Sequence, residues 1–182
     1  MQTLEDQRAE FICKSGRFLA FPLAGAISWL LVAIAASFLE ERTAIYVLLF
    51  STGAIFPLAL AIAKVTDQQV FQKGNPFASL MGLSVLMVNL MWVLHFVLLF
   101  RFPSVAVLSI ALALGLHWIV FGWIIQSSVG IIHALLRTAL CTAAFLLLPH
   151  SPVSAVSAAV VACYLITIVQ LLTHQIGRKN NT

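Results

Sequence analysis

The stretch IIHALLRTALCTAAFLLL, from Ile131 to Leu148, decides the class of this protein. It contains no acidic residue and is long enough to cross a lipid bilayer as one helix. Arg137 is the only fully charged residue within it. Because a charged side chain at the bilayer centre costs about 2.5–3.5 kcal/mol, its guanidinium is expected to face polar partners inside a helix bundle.

The composition excludes a water-soluble domain. Hydrophobic residues make up 62% of the 182 residues and charged residues only 9%, with a mean hydropathy of +1.04. A soluble domain of this size needs roughly a quarter of its residues charged to cover its surface. The bilayer is therefore the main solvent of this chain.

Six apolar stretches reach the length of about 20 residues that a helix needs to span a bilayer. They cover residues 18–39, 44–63, 77–100, 105–125, 129–148 and 153–176, between a cytoplasmic N-terminal segment (1–17) and a cytoplasmic tail (177–182). Most connectors are short, and short connectors force antiparallel neighbours. The prediction is an all-α integral membrane bundle of six transmembrane helices.

The distribution of Lys and Arg predicts the orientation. Seven of these residues fall on one side of the predicted membrane: Arg8, Lys14, Arg17, Lys64, Lys73, Arg178 and Lys179. Only Arg42 and Arg101 fall on the other side. The positive-inside rule then makes both termini cytoplasmic, in a multi-pass protein of the inner (plasma) membrane. The net charge of +4 reflects this asymmetry, so no nucleic-acid partner is predicted.

The N-terminal segment admits two interpretations. Leu4, Phe11 and Ile12 would share one face of a short helix lying in the membrane interface. A solvated tail fits the same residues.

A polar patch is expected in the cytoplasmic half of the bundle. Helical rise places Arg137 and His117 each about 12 Å inside the cytoplasmic boundary, and Asn89 about 18 Å inside it. His133 shares a helix face with Arg137, because the two are four residues apart. All carboxylates lie in the predicted tail or loops. Since a guanidinium matches carboxylate or phosphate, the patch is predicted to bind a small anionic ligand. The alternative is that Arg137 only joins helices together or reaches a lipid headgroup.

The longest connector, 64–76, is the candidate entrance to this patch. Lys64, Lys73 and Asn75 lie in it, and Gln126 lies in another connector on the same predicted side. These four residues are predicted to line a cytoplasmic entrance. A plain solvated turn is the alternative.

Other kinds of site find little support in the sequence. The five histidines form no HxxxH or HExxH pair, so no metal site is predicted. There is no GxSxG motif, and no catalytic residue or cofactor is predicted. The string Phe21-Pro22-Leu23-Ala24 recurs as Phe56-Pro57-Leu58-Ala59, but the surroundings differ and the recurrence is interpreted as chance.

An ordered set of short strings carries a family resemblance. These are Gly53 to Leu58, Lys64, Lys73 to Pro76, Ser79-Leu80, Gly115 to Trp118, Gly122 to Ser127 and Arg137-Thr138. In these strings the chain resembles an uncharacterised family of small bacterial six-span integral membrane proteins, a domain of unknown function. The resemblance covers nearly the whole chain and implies a helical membrane fold. It implies no activity, so no functional residue is carried over from it.

Three functions from different classes fit the sequence. The first is a small membrane transporter or ligand-binding membrane protein, in which Arg137 holds an anionic group that His117 and Asn89 orient. The second is a non-catalytic structural, lipid-interacting or partner-regulating protein. The third is an intramembrane enzyme, in which His117 or His133 performs acid–base chemistry on a lipidic substrate. Membrane lipids, a small anionic ligand and a second copy of the chain are the expected partners.

Overall fold

The computed structural model describes residues 2–173, and its regular structure is helical throughout that range. The eight helices are α1 (Leu4–Ser15), α2 (Ala20–Ala36), α3 (Glu41–Val65), α4 (Pro76–Leu90), α5 (Trp92–Arg101), α6 (Pro103–Ile124), α7 (Val129–Leu147) and α8 (Pro152–Thr173). The predicted tail 177–182 and the last residues of the sixth predicted span, 174–176, lie outside the described residues.

Five segments are long and apolar enough to cross a membrane. They are α3, α4 together with α5, α6, α7 and α8. A sixth span results if α1 and α2, which meet at an angle of 50°, are taken as one broken segment. An all-α membrane bundle is therefore confirmed.

The described helices differ from the predicted spans in two ways. The predicted span 77–100 is divided at Met91, between α4 and α5. The first predicted span begins at residue 18, whereas α2 begins at Ala20. Phe18 has a φ of +56°, in the left-handed region, and it separates α1 from α2.

The N-terminal segment folds as α1 against the rest of the bundle. Thr3 and Asp6 form a capping box that begins the helix. Phe11 is buried, whereas Leu4 is exposed. The guanidinium of Arg8 lies over the ring of Phe77, with a centroid distance of 4.7 Å. This contact joins α1 to α4.

Helix α6 is central, since it contacts α4, α5, α7 and α8. Its approach to α7 is unusually close at Gly122 and Gly130, where a Cβ on Gly130 would lie 2.7 Å from the Cα of Gly122. Glycine permits such close contact between helix backbones. Helix α2 packs between α3 and α8. This arrangement sets α2, α6, α7 and α8 around a common core.

Candidate functional site

A cavity of about 350 Å³ lies at the end of the bundle that contains the 66–75 connector. Helices α1, α2, α3, α4 and α6 contribute to its walls. Its largest lining side chains are aromatic: Phe11, Phe18, Phe21, Phe56, Phe71, Trp118 and Phe121. We call this cavity the aromatic pocket.

Polar groups of the aromatic pocket gather near the 66–75 connector. Ser15, Gln68 and Gln69 line it there. The side-chain carbonyl of Gln68 accepts a hydrogen bond of 3.3 Å from the backbone N–H of Ala20, at the start of α2. Ser15 accepts a hydrogen bond of 3.0 Å from the side-chain amide of Gln72. The pocket therefore has an apolar body and a polar end.

The side of the aromatic pocket opens between helices. Phe21 on α2 is 37% exposed and Phe56 on α3 is 45% exposed, although both lie in strongly apolar sequence. Their rings lie 6.1 Å apart. In a bilayer, this side of the pocket would face lipid chains rather than water.

His117 reaches the aromatic pocket from α6. It is half-buried and lines the wall together with Trp118. The two rings lie 6.1 Å apart. The ring of His133, which does not line the pocket, is stacked on the indole of Trp118 with the centroids 4.2 Å apart. Trp118 thus lies between the pocket and the interior of the bundle.

His133 is buried and has one clear hydrogen-bond partner. Its Nδ1 lies 2.7 Å from the hydroxyl oxygen of Thr167 on α8. The Thr167 hydroxyl also donates to the carbonyl of Cys163, at 2.8 Å. Since a hydroxyl has one hydrogen to donate, Nδ1 of His133 is then the protonated nitrogen. Nε2 of His133 has no partner among the described residues.

Arg137 is fully buried, on the same face of α7 as His133. Its Nε donates a hydrogen bond of 2.7 Å to the carbonyl of Ala111 on α6. Its Cδ occupies the space left by Gly115, where a Cβ would lie 2.9 Å away. The Cζ of Arg137 lies 5.4 Å from the centroid of the Trp29 ring and 5.3 Å from that of Tyr164. Nη1 and Nη2 have no hydrogen-bond partner among residues 2–173.

The members of the predicted polar patch thus have three different surroundings. Arg137 and His133 lie in the core between α2, α6, α7 and α8, and neither lines the aromatic pocket. His117 lines the pocket. Asn89 lies with neither: it is exposed on α4, and its side-chain amide donates to the carbonyl of Val85 at 3.0 Å.

The four predicted entrance residues also have different positions. Asn75 is buried and caps α4, since its side-chain oxygen accepts from the N–H of Phe77 at 3.0 Å. Its side-chain amide donates to the carbonyl of Gln7 in α1 at 2.8 Å. Lys64, Lys73 and Gln126 are exposed, and none of them lines the aromatic pocket. The geometry of Asn75 is that of a structural cap.

The sequence did contain one signal for the pocket. The recurring Phe-Pro-Leu-Ala string, interpreted above as chance, brings Phe21 and Phe56 into contact. Both residues line the aromatic pocket, as does Pro22. The remaining wall residues, such as Phe11 and Phe71, come from segments whose position depends on α1, and no local pattern marks them.

The other histidines do not assemble a further site. His95 on α5 is buried, and its Nδ1 lies 3.1 Å from the hydroxyl of Ser109 on α6. His150 lies in the exposed turn before α8, and His174 lies outside the described residues. Within residues 2–173, no three His, Cys, Asp or Glu side chains come together in a way that could hold a metal ion.

A second cavity, of about 830 Å³, lies among α3, α5 and α6. Glu41 and Ser104 line it, and the Ser104 hydroxyl donates to the Glu41 carboxylate at 2.5 Å. Other lining residues are widely open, with Phe100 83% exposed. This cavity lies away from the residues that line the aromatic pocket.

Comparison with protein families gives one match. The model of a family described as "Family of unknown function (DUF7010)" matches residues 4–174. Comparison with the curated proteins and with the solved structures found no match. The expected resemblance to an uncharacterised family is confirmed, and a bacterial origin stays a prediction.

Proposed function

The chain belongs to DUF7010, a family of unknown function; since membership assigns no activity, we propose from the geometry of the aromatic pocket that this protein binds an amphipathic small molecule within the membrane. The observation that carries the proposal is the aromatic-lined cavity of about 350 Å³, which has a polar end and opens on one side between α2 and α3. Binding sites for small molecules are typically apolar cavities of about 300–1,000 Å³ with a few oriented polar groups.

The chemistry of the walls defines the class of ligand. Phenylalanine and tryptophan rings favour an apolar body such as an acyl chain or a flat hydrocarbon skeleton. Ser15 and Gln68 offer hydrogen bonds to a polar head. Side-chain amides and hydroxyls can donate to an anionic head as well as a neutral one.

Nearby positive charge supports an anionic head. Arg17 and Lys64 are exposed at the same end of the bundle and form no ion pair with another described residue. The excess of Lys and Arg at this end also supports a cytoplasmic orientation of the pocket in a plasma (inner) membrane. His117, inside the pocket, would contact the body of the ligand. Transport of this ligand across the bilayer would in addition require an opening on the opposite side.

A second candidate is a non-catalytic structural role, and the environment of Arg137 favours it. The side chain fills the space at Gly115 and bonds to the carbonyl of Ala111. Such contacts join α6 to α7 whether or not a ligand is present. This role accounts for the contacts of Nε and Cδ of Arg137 but leaves the aromatic pocket without a purpose.

Two glycines allow a direct test of ligand binding. A Cβ on Gly82 or on Gly53 would meet no atom within 4 Å, so both positions tolerate a side chain. Gly82 lines the aromatic pocket, whereas Gly53 does not. The substitution Gly82→Trp should fill the pocket, and Gly53→Trp is the matched control in another apolar helix.

Oleate is the probe, since it combines an acyl chain with an anionic head. Native mass spectrometry of the purified protein released from detergent should show one retained oleate on the wild type and on Gly53→Trp. Retention by Gly82→Trp should fall at least about tenfold, because the indole would occupy the acyl site. Equal retention by all three proteins would mean that oleate binds elsewhere. Absence of retention by the wild type would exclude an acyl chain as the ligand of this pocket.

A further inference from the structure

Three residues in the core of the bundle, away from the aromatic pocket, carry four hydrogen-bonding atoms without a partner among the described residues. The three are Arg137 on α7, Trp29 on α2 and Ser157 on α8, and each of these residues is 0% exposed. Nη1 and Nη2 of Arg137, Nε1 of Trp29 and Oγ of Ser157 have no hydrogen-bond partner among the described residues. Buried polar atoms are nearly always paired in folded proteins, so this group requires an explanation.

The register of the helices brings the three side chains to one layer. Gly25 of α2 lies against the Tyr164 ring of α8, where a Cβ would be 2.4 Å from its Cζ. Two turns further along α2, the carbonyl of Ala33 accepts from the hydroxyl of Ser154 at 3.4 Å. Trp29 lies midway between these two contacts. It therefore faces the part of α8 between residues 154 and 164, which includes Ser157.

The side chain of Arg137 extends into the same layer. Its Cδ lies beside Gly115, and its Nε reaches the carbonyl of Ala111, one turn before Gly115 in α6. The guanidinium then lies over the indole of Trp29, with Cζ 5.4 Å from the ring centroid. The unpartnered Nη1 and Nη2 are thus held next to the unpartnered indole by contacts on three helices.

The chemistry of this group is that of an anion site. A guanidinium and an indole N–H donate hydrogen bonds and cannot accept them. The guanidinium is positively charged, yet the six acidic residues of the chain all lie in α1, at Glu40 and Glu41 around the start of α3, or in the 66–75 connector. A water among these groups could donate one hydrogen to the Ser157 hydroxyl, but it would leave the guanidinium charge uncompensated. A monovalent anion accepts from every donor and neutralises the charge.

We propose that Arg137, Trp29 and Ser157 bind one small monovalent inorganic anion of the halide type, such as chloride, inside the bundle. None of the three residues lines the aromatic pocket, so the site is independent of the proposed amphiphile. Because all three are fully buried, the ion exchanges only when the helices separate locally. The bound ion stabilises the folded protein by mass action.

The test is thermal unfolding of the full chain in mild detergent, with chloride replaced by gluconate at constant ionic strength. Gluconate is too large for an enclosed site. The unfolding temperature of the wild type should rise saturably with chloride. Trp123→Phe is the matched control, since Trp123 is 58% exposed on α6, and it should show the same rise.

Three variants test whether the chloride-dependent rise in unfolding temperature comes from binding at this site. Arg137→Gln should lose the chloride dependence entirely. Trp29→Phe and Ser157→Ala, which keep the charge and most of the volume, should each weaken the apparent chloride affinity by about tenfold, as expected when one hydrogen bond to an ion is removed. These two variants keep the test decisive if Arg137→Gln does not fold. The proposal would be overturned if the unfolding temperature of the wild type showed no saturable dependence on chloride. It would also be overturned if Trp29→Phe and Ser157→Ala showed the same chloride dependence as the wild type. Neither result bears on oleate retention.

Discussion

The backbone of Gly130 lies directly against that of Trp118: a Cβ on Gly130 would stand 2.0 Å from the carbonyl oxygen of Trp118. A methyl group there would also lie 2.6 Å from the backbone nitrogen of Gly122. Backbone atoms on a neighbouring helix cannot rotate away as a side chain can. The crossing of α6 and α7 therefore requires glycine at residue 130.

Replacing Gly130 with alanine should destabilise the protein by about 3 kcal/mol, at the upper end of the usual cost of overpacking. Thermal or denaturant unfolding in detergent measures the change. Gly53→Ala is the control, since its Cβ would meet no atom within 4 Å, and it should be neutral or slightly stabilising. Equal stability of the two variants would contradict the close crossing.

Gly115 and Arg137 should be energetically coupled. Alanine at residue 115 would place its Cβ 2.9 Å from Cδ of Arg137 and displace the guanidinium from its bond to Ala111. We expect a cost of about 1–3 kcal/mol from Gly115→Ala in the wild type. The same substitution should cost much less in an Arg137→Ala background, because the clash is gone. A double-mutant cycle measures this coupling, and additive effects would disprove it.

The hydrogen bond between His133 and Thr167 should contribute to stability. Thr167→Val removes the hydroxyl and leaves a buried imidazole nitrogen unpaired, which typically costs about 1–3 kcal/mol. Thr173→Val is the matched control on the same helix. Thr173 is exposed, and its hydroxyl bonds only to carbonyls of α8. The prediction fails if both valine variants unfold at the wild-type temperature.

Asn75 should hold α1 in place. Asn75→Ala removes the cap of α4, which is worth about 1 kcal/mol, and also the bond to the carbonyl of Gln7. We expect lower stability and faster trypsin cleavage after Arg8, which is buried in the folded protein. Lys73→Ala, in the same connector but exposed, is the control. Unchanged cleavage at Arg8 would show that α1 is held by other contacts.

The orientation can be tested with the natural cysteines. Cys13 is exposed, whereas Cys141 and Cys163 are buried. A membrane-impermeant maleimide should therefore react at Cys13 alone. If the Lys- and Arg-rich side is cytoplasmic, labelling should occur in inverted membrane vesicles and not in intact cells. Cys13→Ser should abolish it. Labelling of intact cells would reverse the assigned orientation.

The class of fold followed from the sequence because bilayer thickness dictates the length of an apolar helix. Residues between the apolar runs, such as Glu40 and Pro149, break those runs in the sequence itself. The rotation of each helix about its axis was harder to predict. Lipid chains and protein interior are both apolar, so the sequence of α4 did not reveal that Asn89 faces outward.

Only those features of the candidate site that depend on residue spacing along a single helix could be predicted from the sequence. Arg137 and His133 lie on one face of α7 whatever its rotation, because they are four residues apart. The separation of His117 from Arg137 depends on side-chain directions at the crossing of two helices. The docking of α1 depends on the amides of Gln72 and Asn75, which bond to its backbone carbonyls. Neither arrangement has a local sequence signature.

The exposure of Phe21 and Phe56 between α2 and α3 determines how occupancy of the pocket is controlled. A molecule that enters through this side comes from the acyl-chain region and never passes through bulk water. The fraction of pockets that are occupied then depends on the mole fraction of this molecule among the surrounding lipids. Adding buffer to a suspension of membranes leaves that fraction unchanged, whereas fusing the membranes with empty vesicles lowers it and empties the pocket.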